Sequence, residues 1–188
     1  MQHTLNKLKT IYPLEEVHLN LLLRELKRVE LPKNHVIIRE GKIETSLYFI
    51  EKGIARAYLD GTDQRITCWF GMEGDVMLSY NSYINHTPGY ENIELLEDSV
   101  VYELNTFVLN QLYLEQPSLA NWGRKLAELE LINTEERYIA RLFKTAKQRY
   151  NELLLRYPSL ILRIPLGHIA SYLGVSQVTL SRIRAEIR

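Results

Sequence analysis

Gln177, Val178, Ser181 and Arg182 are spaced so that, on a helix, their side chains share one face. Each is suited to a base edge. A glutamine amide pairs bidentately with adenine, an arginine fork with guanine O6 and N7, and valine meets a thymine methyl. A serine hydroxyl serves either kind of edge. Ser176, Thr179 and Arg184 flank this face and suit phosphate oxygens, which position a protein on DNA without specifying sequence. The chemistry is hydrogen-bonded reading of double-stranded DNA.

Such a face needs a second helix to hold it. The segment from Ile164 to Arg188 reads IPLGHIASYLGVSQVTLSRIRAEIR. Counted from Leu166, Ile169, Leu173, Val175, Leu180 and Ile183 fall where two helices and their turn meet. Ala170 stands where the helices cross and only a small side chain fits. Gly174 supplies the left-handed turn, and Ser176 is an N-cap for the second helix. These positions agree on one helix-turn-helix.

Charge divides along the same line. Residues 1–136 carry 13 Lys and Arg against 21 Asp and Glu, whereas residues 137–188 carry 10 against Glu152 and Glu186 alone. The net charges are −8 and +8, and the zero total conceals them. A basic segment coinciding with a helix-turn-helix suits a phosphate backbone. The acidic part does not.

Other chemistry finds little support. His3, His18, His35, His86 and His168 are scattered, no glycine-rich phosphate loop is present, and no nucleophile–base–acid order emerges, so an enzyme and a bound metal are not expected. The single cysteine, Cys68, permits no internal disulfide and fits a reducing compartment. No apolar run reaches membrane-spanning length, and MQHTLNKLKTIYPLEEV lacks the form of a secretory signal. A cytoplasmic protein without membrane attachment is expected.

Upstream, Leu14 to Leu26 reads as a helix with Leu19, Leu22, Leu23 and Leu26 on one side. After Pro32, short β-type runs follow at 36–38, 46–50, 54–59, 66–70, 93–96 and 100–104. Gly41, Gly53, Asp60-Gly61 and Gly74-Asp75 punctuate them, predicting a jelly roll or small barrel. From Ser118, read as a cap, a helix of about 27 residues is predicted from its 3–4 spacing. Leu119, Trp122, Leu126, Leu129 and Asn133 lie along one stripe; Ala127, Leu131, Tyr138 and Leu142 lie along another. Two apolar stripes require two partners, the helix's own β domain and a second copy of the chain. A shorter helix around Gln148 to Tyr157 stops at Pro158. The fold class is α+β, with domains at 1–117, 118–144 and 145–188.

With these pieces in place the chain resembles the cyclic-AMP receptor protein/Fnr (Crp/Fnr) superfamily of bacterial transcription regulators, over nearly its whole length. NHVIIREGKIETSLYFIEKGIARAYL (34–59) is similar to the first hairpins of the family's cyclic-nucleotide-binding β-roll, and Glu73-Gly74-Asp75 to the turn opening its phosphate cassette. The helix from Ser118 is placed like the dimerisation helix. IASYLG (169–174) through SRIR (181–184) resembles the family's DNA-reading element. Arg149-Tyr150, Tyr157-Pro158 and IASYLGV resemble a short branch common in Bacteroidetes-type bacteria. The resemblance implies a β-roll, a dimerisation helix and a winged-helix-like module with its wing absent or truncated, since the wing's residues would follow Arg188. It also implies a homodimer on two DNA half-sites, with RNA polymerase as a further partner.

The resemblance breaks at the ligand pocket. Members binding cyclic AMP carry a Gly-Glu pair for the ribose and, about ten residues on, an Arg-Ser/Thr pair for the phosphate. Those pairs fall here on Leu78-Ser79 and Gly89-Tyr90, and no Lys or Arg occurs from Ile66 to Gly123. A phosphodiester is usually held by a charge-assisted bond. Cyclic AMP held in the family's usual way is therefore not expected, and no cofactor is assigned. The β-roll is either a ligand-free scaffold or binds a less charged effector among Trp69, Met72, Met77, Tyr80, Tyr83 and Tyr90. Thr134 stands where the family's helix reaches the purine. The alternative function is a β-roll dimerisation protein sensing another small ligand, with weak or vestigial DNA binding.

Overall fold

The computed structural model describes residues 1–62 and 64–186. Ile187 and Arg188, at the end of the expected DNA-binding domain, lie outside the described residues, as does Asp63. The chain divides into two compact units: Met1–Ala57 with Phe70–Glu130, and Tyr58–Trp69 with Leu131–Arg188.

The first unit opens with two helices, α1 (Gln2–Ile11) and α2 (Glu16–Glu25), followed by β1 (Lys27–Leu31), β2 (Val36–Ile38) and β3 (Ser46–Lys52). Then come β4 (Ala55–Asp60), β5 (Arg65–Gly71), β6 (Val76–Met77) and the short α3 (Tyr80–Asn85). β7 (Asn92–Leu95), β8 (Ser99–Asn105) and α4 (Thr106–Glu115) complete it. The strands form two four-stranded sheets, ordered β1-β8-β3-β6 and β2-β7-β4-β5. All the pairings with a defined register are antiparallel, Leu47 opposite Leu104 and Phe49 opposite Tyr102 among them. Every predicted strand run is present within a residue or two. β1, β6, α1, α3, α4 and the short helix at 160–163 were not predicted.

The long helix α5 (Pro117–Phe143) has 27 residues. It begins at Pro117 rather than behind a Ser118 cap, because proline lacks the N–H that a first-turn residue would leave unpaired. Leu119, Trp122 and Leu126 are buried with Leu8, Leu22, Phe49 and Leu104 in the core of the first unit. The Trp122 indole N–H donates to the Leu8 carbonyl at 3.0 Å. Burying an indole is tolerable when its one donor is satisfied.

In the second unit, Thr145 opens α6 (Ala146–Arg156) with a capping box, its hydroxyl accepting from the Gln148 N–H while the Gln148 side chain answers the Thr145 N–H. α7 (Leu160–Arg163) leads to α8 (Leu166–Leu173) and α9 (Gln177–Ala185). Leu160, Ile164, Ile169, Ala170, Leu173, Leu180 and Ile183 are buried and make this unit's core. Among the described residues no helix is long and apolar enough to cross a membrane.

Candidate nucleic-acid interface and ligand pocket

The α8–α9 turn is built by backbone chemistry that its sequence dictates. Gly174 adopts φ +66°, and its N–H reaches the Ser171 carbonyl at 3.1 Å. The Val175 N–H reaches back to the Ala170 carbonyl at 3.0 Å. Together these close a Schellman motif, which needs a residue at ease in the left-handed region. Ser176 then caps α9, its hydroxyl accepting from the Thr179 N–H at 3.1 Å. Ser176 and Thr179 also join their hydroxyls at 3.0 Å.

This geometry leaves one face of α9 open. Ser176, Gln177, Val178, Thr179, Ser181 and Arg182 are exposed, Val178 to 62 %, whereas Leu180 and Ile183 turn inward. Arg184 is half-buried. The Gln177 amide lies over Gly167 of α8, so close that a Cβ there would stand 2.8 Å from its Nε2. Arg149 of α6 braces the module from behind. One guanidinium nitrogen donates to the Leu173 carbonyl and another to the Lys144 carbonyl, each at 2.6 Å. Lys147 pairs with Glu186 at 2.8 Å. The hydrogen bond from Lys147, and then its charge, hold the Glu186 carboxyl below its ordinary range. Burial pushes the Tyr172 phenol up, against the opposing influence of Arg137, Arg156 and Arg149.

The two stripes of α5 meet different fates. Leu119, Trp122 and Leu126, expected along the dimerisation helix, are consumed by the helix's own β domain; Leu129 and Asn133 are half-buried, and Asn133 accepts from Arg156 at 3.3 Å. The second stripe stays bare. Leu131, Tyr138 and Leu142 are exposed, together with Ile132, Ile139 and Phe143.

The candidate pocket residues separate as well. Met77, Leu78, Ser79 and Gly89 are buried, Tyr80 is half-buried, and Tyr90 is exposed. The structure brings Ser79 against Gly89: a Cβ on Gly89 would lie 2.4 Å from the Ser79 Oγ. The Ser79 Oγ is buried without a hydrogen-bond partner. Thr134 lies in the second unit, exposed, its hydroxyl accepting from Arg137 at 2.8 Å. One buried cation escaped the sequence reading. Arg56 of β4 is 4 % exposed and pairs with Glu94 of β7 at 2.7 Å. An arginine inside the apolar run Ile54-Ala55-Arg56-Ala57-Tyr58 was the available signal. Its charge is already met by Glu94, and the cassette itself offers a hydroxyl and backbone but no lysine or arginine. These residues do not fit a cyclic phosphodiester held by a charge-assisted bond.

Residues 28–116 match the cyclic nucleotide-binding domain family. The matched domain spans both sheets and the cassette with its Ser79–Gly89 contact. Over 171 residues the chain is 25% identical to an anaerobic regulatory protein of Aggregatibacter actinomycetemcomitans, covering 84% of this chain and 65% of that protein. The chain thus spans about two thirds of the length of the curated relatives it matches. The fold is shared with FixK2 from Bradyrhizobium japonicum, at TM-score 0.75, 22% identity, and coverage of 86% of this chain and 84% of that one. It is also shared with a structure ascribed to the Crp/Fnr family from Eubacterium rectale, at TM-score 0.73, 18% identity, and coverage of 94% and 87%. At these identities the solved structures show a shared fold.

Proposed function

We propose that this chain is a homodimeric, sequence-specific DNA-binding transcription regulator of the Crp/Fnr type, acting in the cytoplasm, whose β-roll does not use cyclic AMP in the usual way. The observation that carries the reading is the α8–α9 module. It buries one side of α9 and leaves Gln177, Val178, Ser181 and Arg182 open, in the part of the chain with a net charge of +8. Gln177 and Arg182 read adenine and guanine, Val178 meets a thymine methyl, and Arg184 with the capped Ser176–Thr179 turn meets phosphates.

The bare stripe of α5 supports the dimer. Leu131, Tyr138 and Leu142 form the side of a long helix that a second copy would cover. Two copies about a two-fold axis would read half-sites about one helical turn apart, ~34 Å. An effector, if one binds, is of low charge, since Arg56 is committed to Glu94. The anaerobic regulatory proteins to which the chain is similar extend beyond the span it covers, and RNA polymerase is a further proposed partner.

Selection of bound DNA from a random pool, with and without cell extract, tests this reading. A symmetric consensus with a steep salt dependence is expected. No enrichment, or binding indifferent to sequence, would overturn it.

A further inference from the structure

A serine inside a helix ordinarily turns its hydroxyl to a carbonyl of its own helix or to solvent. Ser171, in the middle of α8, does neither. Its Oγ accepts the Thr67 N–H at 2.9 Å and donates to the Arg65 carbonyl at 2.8 Å. Arg65 and Thr67 lie on β5, the outer strand of its sheet. On such an edge, the C=O of one residue and the N–H two residues on are the pair that a neighbouring strand would fill. One hydroxyl, donor and acceptor at once, fills both.

The strand it grips is stiffened locally. The Arg65 guanidinium bonds Asp60 at 3.0 Å and lies 4.7 Å from the centre of the Tyr58 ring. The Gly61 N–H closes the hairpin turn on the Gln64 carbonyl at 3.1 Å. Thr67 is fully buried. Residues 58–69 accordingly belong to the same compact unit as α8 and α9, although both strands continue by chain connection into the first unit.

We infer that Ser171 is a positioning residue for DNA reading: its hydroxyl latches the outer half of the β4–β5 hairpin onto α8 and so steadies the α8–α9 module within its own compact unit. The latch grips α8 and leaves the base-reading face of α9 uncovered, so it pre-organises that face for DNA. Without it α8 and α9 would sample more conformations within their unit and lose them on binding, which lowers affinity. This inference rests on the DNA-binding reading above.

The test uses the full chain and the DNA selected from the random pool. Ser171→Ala is expected to weaken binding to that DNA roughly tenfold, the scale of one or two lost hydrogen bonds. The same substitution should speed hydrogen exchange at the Thr67 amide while amides within α9 keep their protection. Ser171→Thr, which keeps the hydroxyl, should restore both. Unchanged affinity in Ser171→Ala, or a Thr67 amide that exchanges as before, would overturn the inference. Loss of affinity accompanied by loss of α9 protection would also overturn it, because a general unfolding of the module would then be the cause. If the unaltered chain selects no DNA, the functional reading fails at that step. The Thr67 amide then still reports whether the latch exists.

Discussion

Arg56 and Glu94 meet at 2.7 Å across neighbouring strands β4 and β7, with 5 % and 12 % of their side chains exposed. Two charges removed from water are costly, and their attraction offsets this only while both are present. Arg56→Ala should therefore destabilise the domain by about 3–5 kcal/mol, since it leaves Glu94 buried alone. The paired change Arg56→Met with Glu94→Leu should be close to neutral or stabilising. Chemical denaturation of the two variants separates these outcomes. A double variant as unstable as the single one would show that the pair contributes more than charge compensation.

The proposed reading face of α9 makes a sharper demand. Arg182→Ala is expected to relax base preference at one position of each half-site, at a cost of about 1–3 kcal/mol. Binding to a panel of single-base variants of the selected site would measure it. Uniform weakening across the panel would make Arg182 a phosphate contact instead.

On α5, Leu131→Glu combined with Leu142→Glu should convert a dimer to a monomer without lowering the melting temperature of the monomer. Both side chains are exposed within a single chain and give up no internal packing. Analytical ultracentrifugation checks the first half and calorimetry at low concentration the second. A variant that remains dimeric would place the two-fold contact elsewhere.

Acid sensitivity should concentrate at the N-terminal helix. Burial tends to raise the Glu51 carboxyl, but bonds from the terminal ammonium, Thr4 and His3 outweigh it and lower it from 4.5 to about 2. The carboxylate's contribution to stability is thus fully present above pH ~4.5 and is lost as the pH falls toward 2. Glu51→Gln should be less stable than the parent chain at pH 7, and the difference should shrink across that window. A gap independent of pH would mean that packing, not charge, holds α1 on β3.

Much of this was legible in the residue order, for reasons that differ by element. The α8–α9 turn was readable because its determinants are local: Gly174 supplies the left-handed backbone and Ser176 the cap within a few residues. The central strands were readable because they are short apolar runs between glycines. β1, with the sequence KRVEL, was not, since Lys27, Arg28 and Glu30 are all exposed on an outer strand and no apolar alternation shows. α3 has six residues, too few for a period to show. Arg56–Glu94 and Ser171–Thr67 were invisible because each joins residues far apart in sequence, and no periodicity encodes a partner across a sheet. The two stripes of α5 were readable as stripes, but which one faced inward depended on the fold.

The contact between Ser79 and Gly89 bears on what this pocket could become. Any side chain at position 89 places a Cβ 2.4 Å from the buried Ser79 Oγ and 3.6 Å from a Glu91 carboxylate oxygen. An arginine placed there would need the Ser79 hydroxyl to rotate aside to make room for its first carbon, and it would enter beside a carboxylate. A cation introduced at position 89 would thus have a neighbour in its own chain competing with any phosphate for its charge.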